Sequence, residues 1–269
     1  MLLGVLASWW QRENVKIAID GKPVEAREGQ TVLDVARGAG IFIPTLCHHP
    51  AVASYGACRL CLVEVKVRGR ARIVTSCCYP AAEGLEVSVE SEKAQRARRG
   101  VMELLLARAP ESPALKAMAE RLGVKGGRLP TVTHSQRDCI LCGLCVNVCR
   151  EVIGAAAISF ANRGANRVVA PPFLQPSEAC IGCGACAAVC PVGTIKLRWH
   201  EDEVEISPFK SRVKLLKCSE CGAVVGSVPL GQRVQSKIGP DLAYATTLCD
   251  SCKRKRTAHA AARLARASK

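Results

Sequence analysis

Seventeen cysteines punctuate this chain of 269 residues, and all but Cys78 fall into four sets whose spacing suits metal ligation. The sets are Cys47, Cys58, Cys61 and Cys77; Cys139, Cys142, Cys145 and Cys149; Cys180, Cys183, Cys186 and Cys190; and Cys218, Cys221, Cys249 and Cys252. Thiolate quartets bind iron-sulfur clusters or structural zinc. The chain is therefore expected to fold as several small metal-stapled domains. Aromatic residues make up only 4% of it, which is thin for one large apolar core. The repeated C-x2-C pairs and the lack of an export signal argue against a secreted disulfide scaffold and for a reducing, cytoplasmic setting. The apolar run Met1 to Trp10 is too short to span a bilayer and has no basic leader, so it reads as a partner-docking or core segment.

The formal charge of +15 counts every cysteine as neutral. Four quartets of thiolates around divalent cores would each carry about −2, leaving roughly +7. The remaining positive charge is diffuse except at Lys253, Arg254, Lys255 and Arg256. That run reads as a solvated helix end or a docking surface. A nucleic-acid site built from it and the last cysteine set is the alternative.

Element signals predict an α+β organisation. An N-terminal extension (1–13) precedes a small domain of short strands around a helix (14–90), which the resemblance given below implies is a β-grasp, 2Fe-2S ferredoxin-like domain. There Val15 to Ile19, an Asp20-Gly21 turn and Pro23 to Arg27 read as a hairpin, and Thr31 caps a short helix through Ala36. Leu62 to Val67, Arg72 to Ser76 and Leu85 to Val89 alternate as strands. A helical connector (91–130) carries helices over Ser91 to Arg108 and Pro113 to Leu122, with a hinge from Gly123 to Pro130. A two-cluster bacterial ferredoxin-like domain (131–200) contains an internal repeat, C-I-x-C-G-x-C-x-x-x-C in each half. A small zinc-ribbon-like module with a basic tail (201–269) ends the chain.

The spacing C-x2-C-x2-C-x3-C of the second and third sets, with Pro191 after the last thiol, lets three close thiolates wrap three corners of a 4Fe-4S cubane. The fourth, displaced along the chain, ligates the other cluster. The expected quartets are thus Cys139, Cys142, Cys145 with Cys190, and Cys180, Cys183, Cys186 with Cys149. Gly143, Gly182 and Gly184 suit a backbone that must fold tightly around sulfide. The first set, C-x10-C-x2-C-x15-C, suits a 2Fe-2S cluster. Its fourth ligand is open between the adjacent Cys77 and Cys78, which point to opposite sides of an extended backbone. His48 and His49 are alternative ligands, more simply read as hydrogen-bonding or solvent-facing. The last set forms two C-x2-C hooks that fit one zinc ion, with a third 4Fe-4S cluster as the alternative.

Gly56 to Val65, Thr75-Ser76-Cys77 with Pro80 and Glu83-Gly84-Leu85, Arg137 to Gly143, and Phe160 to Gly164 together resemble the large iron-sulfur subunit of NADH:quinone oxidoreductase. The same module resembles the N-terminal region of iron-only hydrogenases and the small iron-sulfur subunit of NAD-linked hydrogenases and formate dehydrogenases. The resemblance covers about residues 14 to 200 and favours Cys77 as the fourth ligand. Two departures stand out. Family members commonly carry a further cubane held by one histidine and three cysteines, but residues 79–138 contain no cysteine and only His134, and Ala109 stands where the ligand histidine is expected. That cluster is expected to be absent. The chain also ends without the long catalytic region of larger relatives.

What the resemblance implies is a non-catalytic electron-transfer subunit of a multi-subunit NAD(P)-linked oxidoreductase, relaying between a flavin-containing NAD(P)H-binding subunit and a separate hydrogenase- or formate dehydrogenase-type subunit. No nucleotide-binding glycine fingerprint, P-loop or flavin motif is found, so nicotinamide and flavin are expected to belong to partners. Direct reduction of a small substrate would need an open iron position, and every cluster assigned here is fully ligated. A redox-sensing nucleic-acid-binding protein is the alternative. The leading reading predicts neither nucleic-acid binding nor a membrane span.

Overall fold

The computed structural model describes residues 14–133, 136, 138–239 and 244–267. The segment Met1 to Trp10, His134 and Arg137 lie outside the described residues. No helix among the described residues is long and apolar enough to cross a membrane. The chain divides into two compact units. One runs to Asn147 and takes in Arg163–Val168 and Pro191–Gly193; the other comprises Val148–Asn162, Val169–Cys190 and the chain from Thr194 onward.

In the first unit β1 (Asn14–Ile19) and β2 (Lys22–Arg27) form an antiparallel hairpin through Asp20 and Gly21, both at positive φ. Such a two-residue turn matches the right-handed twist of its strands. Helix α1 (Val32–Gly38) follows, with β3 (Leu62–Val67), β4 (Arg70–Thr75) and β5 (Glu86–Ser88) completing a mixed sheet of order β2-β1-β5-β3-β4. β5 pairs parallel with β1 and antiparallel with β3, so the last strand is clamped at the sheet centre.

Thr31 and Asp34 set the start of α1 by a reciprocal capping box, in which the Asp34 N–H donates to Thr31 Oγ1 at 3.2 Å and the Thr31 N–H to Asp34 Oδ2 at 3.1 Å. Val32, Leu33, Val35 and Ala36 are buried against Ile17, Ile19, Val63, Val65 and Val87 from alternating strand positions. Each of these larger side chains contributes about 1.5–3 kcal/mol by leaving water.

Helix α2 (Glu92–Arg108), capped by Ser91, and α3 (Pro113–Arg121), capped by Ser112, form the connector. α2 docks on β3 through Arg98, which is only 3% exposed and donates from Nε to the Leu62 carbonyl at 2.7 Å. From α3, the Arg121 guanidinium lies 3.9 Å from the Phe42 ring centroid, an electrostatic attraction to the ring face. Helix α4 (Leu144–Asn147) ends this part of the unit.

In the second unit β6 (Ser159–Ala161) pairs with β7 (Val168–Ala170), and α5 (Ala185–Ala188) follows a tight cysteine loop. A four-stranded antiparallel sheet then forms from β8 (Lys196–Trp199), β9 (Glu203–Ser207), β10 (Ser211–Lys217) and β11 (Val224–Ser227). It crosses residue 200. Val204, Ile206, Val213 and Leu215 alternate inward along β9 and β10. Helices α6 (Val228–Ile238), α7 (Tyr244–Thr247) and α8 (Asp250–Ala267) complete the unit, with the Lys253-to-Arg256 run on α8.

Candidate metal centres

The long loop between α1 and β3 brings the first set together. Cys47, Cys58, Cys61 and Cys77 are each at most 4% exposed, whereas Cys78 is exposed. The Cys58 N–H donates to Cys47 Sγ at 3.3 Å. Gly56 and Arg59 adopt positive φ on either side of Cys58, which curls the backbone around the thiols. Ser76 fixes the far side, donating from both N and Oγ to the Cys61 carbonyl at 3.0 and 2.9 Å.

Hydrogen bonds from Cys58 and then Cys77 hold Cys47 as a thiolate, its pKa lowered to about 2. Cys77 does the same for Cys61, lowered to about 6, and the two donor thiols are pushed up in return. Four buried thiols sharing charge in this way are the donor set a cationic iron-sulfide core requires.

Both histidines point their hydrogen bonds elsewhere. His48 Nδ1 is 2.7 Å from Ser54 Oγ and its Nε2 3.8 Å from Asp34, while His49 Nδ1 accepts from the Ala51 N–H at 3.2 Å. Burial lowers the His48 pKa, with Arg37 adding to the effect.

Cys139, Cys142 and Cys145 lie in a second loop of the first unit, Cys142 and Cys145 buried and Cys139 partly so. Cys139 Sγ accepts from the Leu141 N–H at 3.5 Å, with Leu141 and Gly143 at positive φ. Cys190, assigned to this set from the sequence, belongs to the other unit.

In the second unit Cys149 meets Cys180, Cys183 and Cys186 around one small apolar cavity, walled by Ile206 and Phe209. Burial pushes the Cys186 thiol up to about 12 and raises Cys180 as well. Ionised thiolates in so apolar a pocket need a compensating cation. Gly182 suits the loop for two reasons. It sits at φ +66, and a Cβ there would lie 3.0 Å from Val213 Cβ. Ser227 braces the same turn by donating to the Ile181 carbonyl.

The last set is the tightest. The four Sγ atoms of Cys218, Cys221, Cys249 and Cys252 all lie within 4.8 Å of one another, with Cys221 and Cys249 3.6 Å apart. No other trio of Cys, His, Asp or Glu ligand atoms among the described residues closes to that distance. One knuckle is turned by the Gly222 N–H donating to the Cys218 carbonyl at 2.9 Å, the other by the Lys253 N–H donating to the Cys249 carbonyl at 2.9 Å. The apolar core beneath is small, essentially Leu248 with Cys218 and Cys252. Ser251 Oγ lies 3.0 Å from Cys249 Sγ, and that contact lowers the Cys249 pKa to about 6.

The first three of these sets define a class: small ferredoxin-like domains whose loops carry cysteines spaced as iron-sulfur ligands are. A 2Fe-2S iron-sulfur cluster binding domain matches residues 12–92, and 4Fe-4S dicluster domains match 133–197 and 179–226. The chain is similar to iron-sulfur proteins of NAD(P)-linked hydrogenases and NADH:quinone oxidoreductases. It is 35% identical to the NADP-reducing hydrogenase subunit HndD of Solidesulfovibrio fructosivorans over 72% of this chain and 38% of that one. It is 36% identical to the NADPH-Fe(3+) oxidoreductase subunit alpha of Geobacter sulfurreducens, over 67% of this chain and 24% of that one. The mitochondrial NADH dehydrogenase (ubiquinone) iron-sulfur protein 1 of Solanum tuberosum shares 30% identity over 85% of this chain and 32% of that one. The chain thus spans a quarter to two fifths of these relatives' length. A chain of the H2-reduced NAD+-reducing [NiFe]-hydrogenase superposes with a TM-score of 0.59 at 28% identity, covering 72% of this chain and 88% of that one.

Proposed function

We propose that this chain is an electron-transfer iron-sulfur subunit of a multi-subunit NAD(P)-linked oxidoreductase, relaying between a flavin-containing NAD(P)H-binding subunit and a catalytic subunit of hydrogenase or formate dehydrogenase type. The observation that carries this reading is the convergence of Cys149 with Cys180, Cys183 and Cys186, all half-buried, on one apolar cavity. A thiol drawn from the preceding cysteine run is the ligand exchange a two-cluster ferredoxin requires. The relatives named above support the hydrogenase and NADH dehydrogenase context.

Bound there, one 2Fe-2S and two 4Fe-4S clusters would supply reversible one-electron chemistry. The chain's contribution is to ligate them, exclude water and fix their order. Cys47, Cys58, Cys61 and Cys77 would hold the 2Fe-2S cluster. Cys139, Cys142, Cys145 and Cys190 would hold one cubane, and Cys180, Cys183, Cys186 and Cys149 the other.

The last quartet is assigned to zinc. A tetrahedral ion with Zn–S of about 2.3 Å sets its ligand sulfurs about 3.8 Å apart, which suits four Sγ atoms gathered within 4.8 Å. A cubane places its thiolates at the outer corners of a cube and needs a wider set. The zinc-ribbon-like module is therefore a metal staple for a segment with little core of its own.

Anaerobic metal analysis with low-temperature spin resonance tests the assignment, with about ten irons and about one zinc expected per chain. About fourteen irons would instead place a third cubane in the last quartet. A colourless, iron-free protein after full reconstitution would refute the electron-transfer reading.

A further inference from the structure

Tyr55 lies in the loop between Cys47 and Cys58, three residues before a thiol of the first centre. Its side chain leaves that loop and rests on the second. A Cβ added at Gly143, between Cys142 and Cys145, would stand 2.7 Å from Tyr55 Oη, 3.1 Å from Cε1 and 3.2 Å from Cζ. The phenol edge therefore packs directly on the Gly143 backbone, and a side chain there would displace it. Gly143 also holds φ +78, a conformation that favours glycine whatever the space beside it. After burial, the thiolates that bear most on the phenol come from both centres, Cys142 first and then Cys47, all favouring the neutral hydroxyl. The ring is half exposed, one side meeting water and the other the Gly143 loop.

The geometry points to Tyr55 as the residue that couples the 2Fe-2S centre to the cubane centre of Cys139, Cys142 and Cys145, a positioning residue for electron exchange between them. The inference rests on the electron-transfer reading above. The exchange is a one-electron step: the reduced centre is oxidised, the other reduced, no bond to Tyr55 forms or breaks, and its proton stays on Oη. Tunnelling weakens exponentially across gaps and is stronger through packed atoms than through water. A side chain in van der Waals contact with both loops shortens the gap, and its removal leaves a space open to solvent.

The test uses the full chain, reconstituted anaerobically, in wild-type, Y55F, Y55L and Y55A forms. Iron content and the spin-resonance signal and potential of each centre are recorded first. Electrons are then injected by flash photoreduction with a deazaflavin, and the redistribution between centres is followed in freeze-trapped samples. Y55F keeps the ring contact and is expected to exchange as wild type does. Y55L and Y55A, which cannot reach Gly143, are expected to slow exchange by about tenfold or more at unchanged potentials. Unslowed exchange in Y55A with both centres loaded would overturn the proposal. Should Y55A fail to load, unslowed exchange in loaded Y55L would do the same, and loss of a cluster even in Y55F would reassign Tyr55 to cluster assembly. Wild-type protein with no iron, or with no exchange at all, would instead strike at the electron-transfer reading itself.

Discussion

At the scale of single residues, neighbours in sequence take opposite fates. Cys77 is fully buried among the thiols of the first centre, while Cys78 is exposed with its Sγ 3.6 Å from that of Cys77. The backbone here is a turn, closed by the Cys78 N–H donating to the Thr75 carbonyl at 3.1 Å, and not the extended segment expected from the sequence. Cys77→Ser is therefore expected to abolish the 2Fe-2S spin-resonance signal and about two irons, and Cys78→Ser to keep both. Gly182 offers a steric counterpart. Its φ of +66 and the 3.0 Å approach to Val213 mean that Gly182→Ala should cost about 1–3 kcal/mol, read as a lower denaturation midpoint together with iron lost from the Cys180 loop while the 2Fe-2S signal persists. The sequence motif already requires a residue without a Cβ here. The identity of the neighbour, Val213 on β10, becomes visible only in the fold.

At the scale of elements, the short helix α1 depends on its cap. Seven residues are too few for a helix to persist alone, and both its capping box and its burial on the sheet are needed. Thr31→Ala should destabilise the 2Fe-2S domain by about 1 kcal/mol, measured by chemical denaturation of the holoprotein followed at the 2Fe-2S absorption. This helix, its Thr31 start and the β1-β2 hairpin are legible in the sequence because capping and turn chemistry are local. The connector helices are legible for the same reason, each preceded by a serine cap. The sheet of β8 to β11 shows in the sequence only as strand-like fragments up to residue 217. Its period-two signal is present in Glu203–Ser207 and Ser211–Lys217, but the hairpin joining them runs through Ser207-Pro208-Phe209-Lys210, which offers no two-residue turn signature. Arg98 falls in a helix whose period predicts a charged outer face, yet it is buried on the Leu62 carbonyl. A long side chain with a tertiary acceptor overrides periodicity, and no local signal announces the acceptor.

For the whole molecule, the ordering of centres depends on which distant thiol closes each quartet. Cys149→Ser is expected to perturb the centre built on Cys180, Cys183 and Cys186, and Cys190→Ser the one built on Cys139, Cys142 and Cys145, each distinguished by its spin-resonance spectrum. The reverse assignment would refute the exchange of ligands. Cys252→Ser should remove zinc and unfold the terminal module, seen as protease sensitivity after residue 217, while about ten irons remain. By itself the sequence determined the number of thiol sets, the ligand chemistry of each and the tight turns that wrap them, because ligands two or three residues apart are brought together by chain connectivity alone. Cys149 closing the Cys180 set and Cys77 as the inner thiol were already expected from spacing and resemblance; only the tertiary structure decided that Tyr55 rests on Gly143, that Arg98 turns in to the Leu62 carbonyl and that Val213 stands over Gly182. Those contacts join segments far apart along the chain, and the packing of one element against another, rather than any local pattern, selects them.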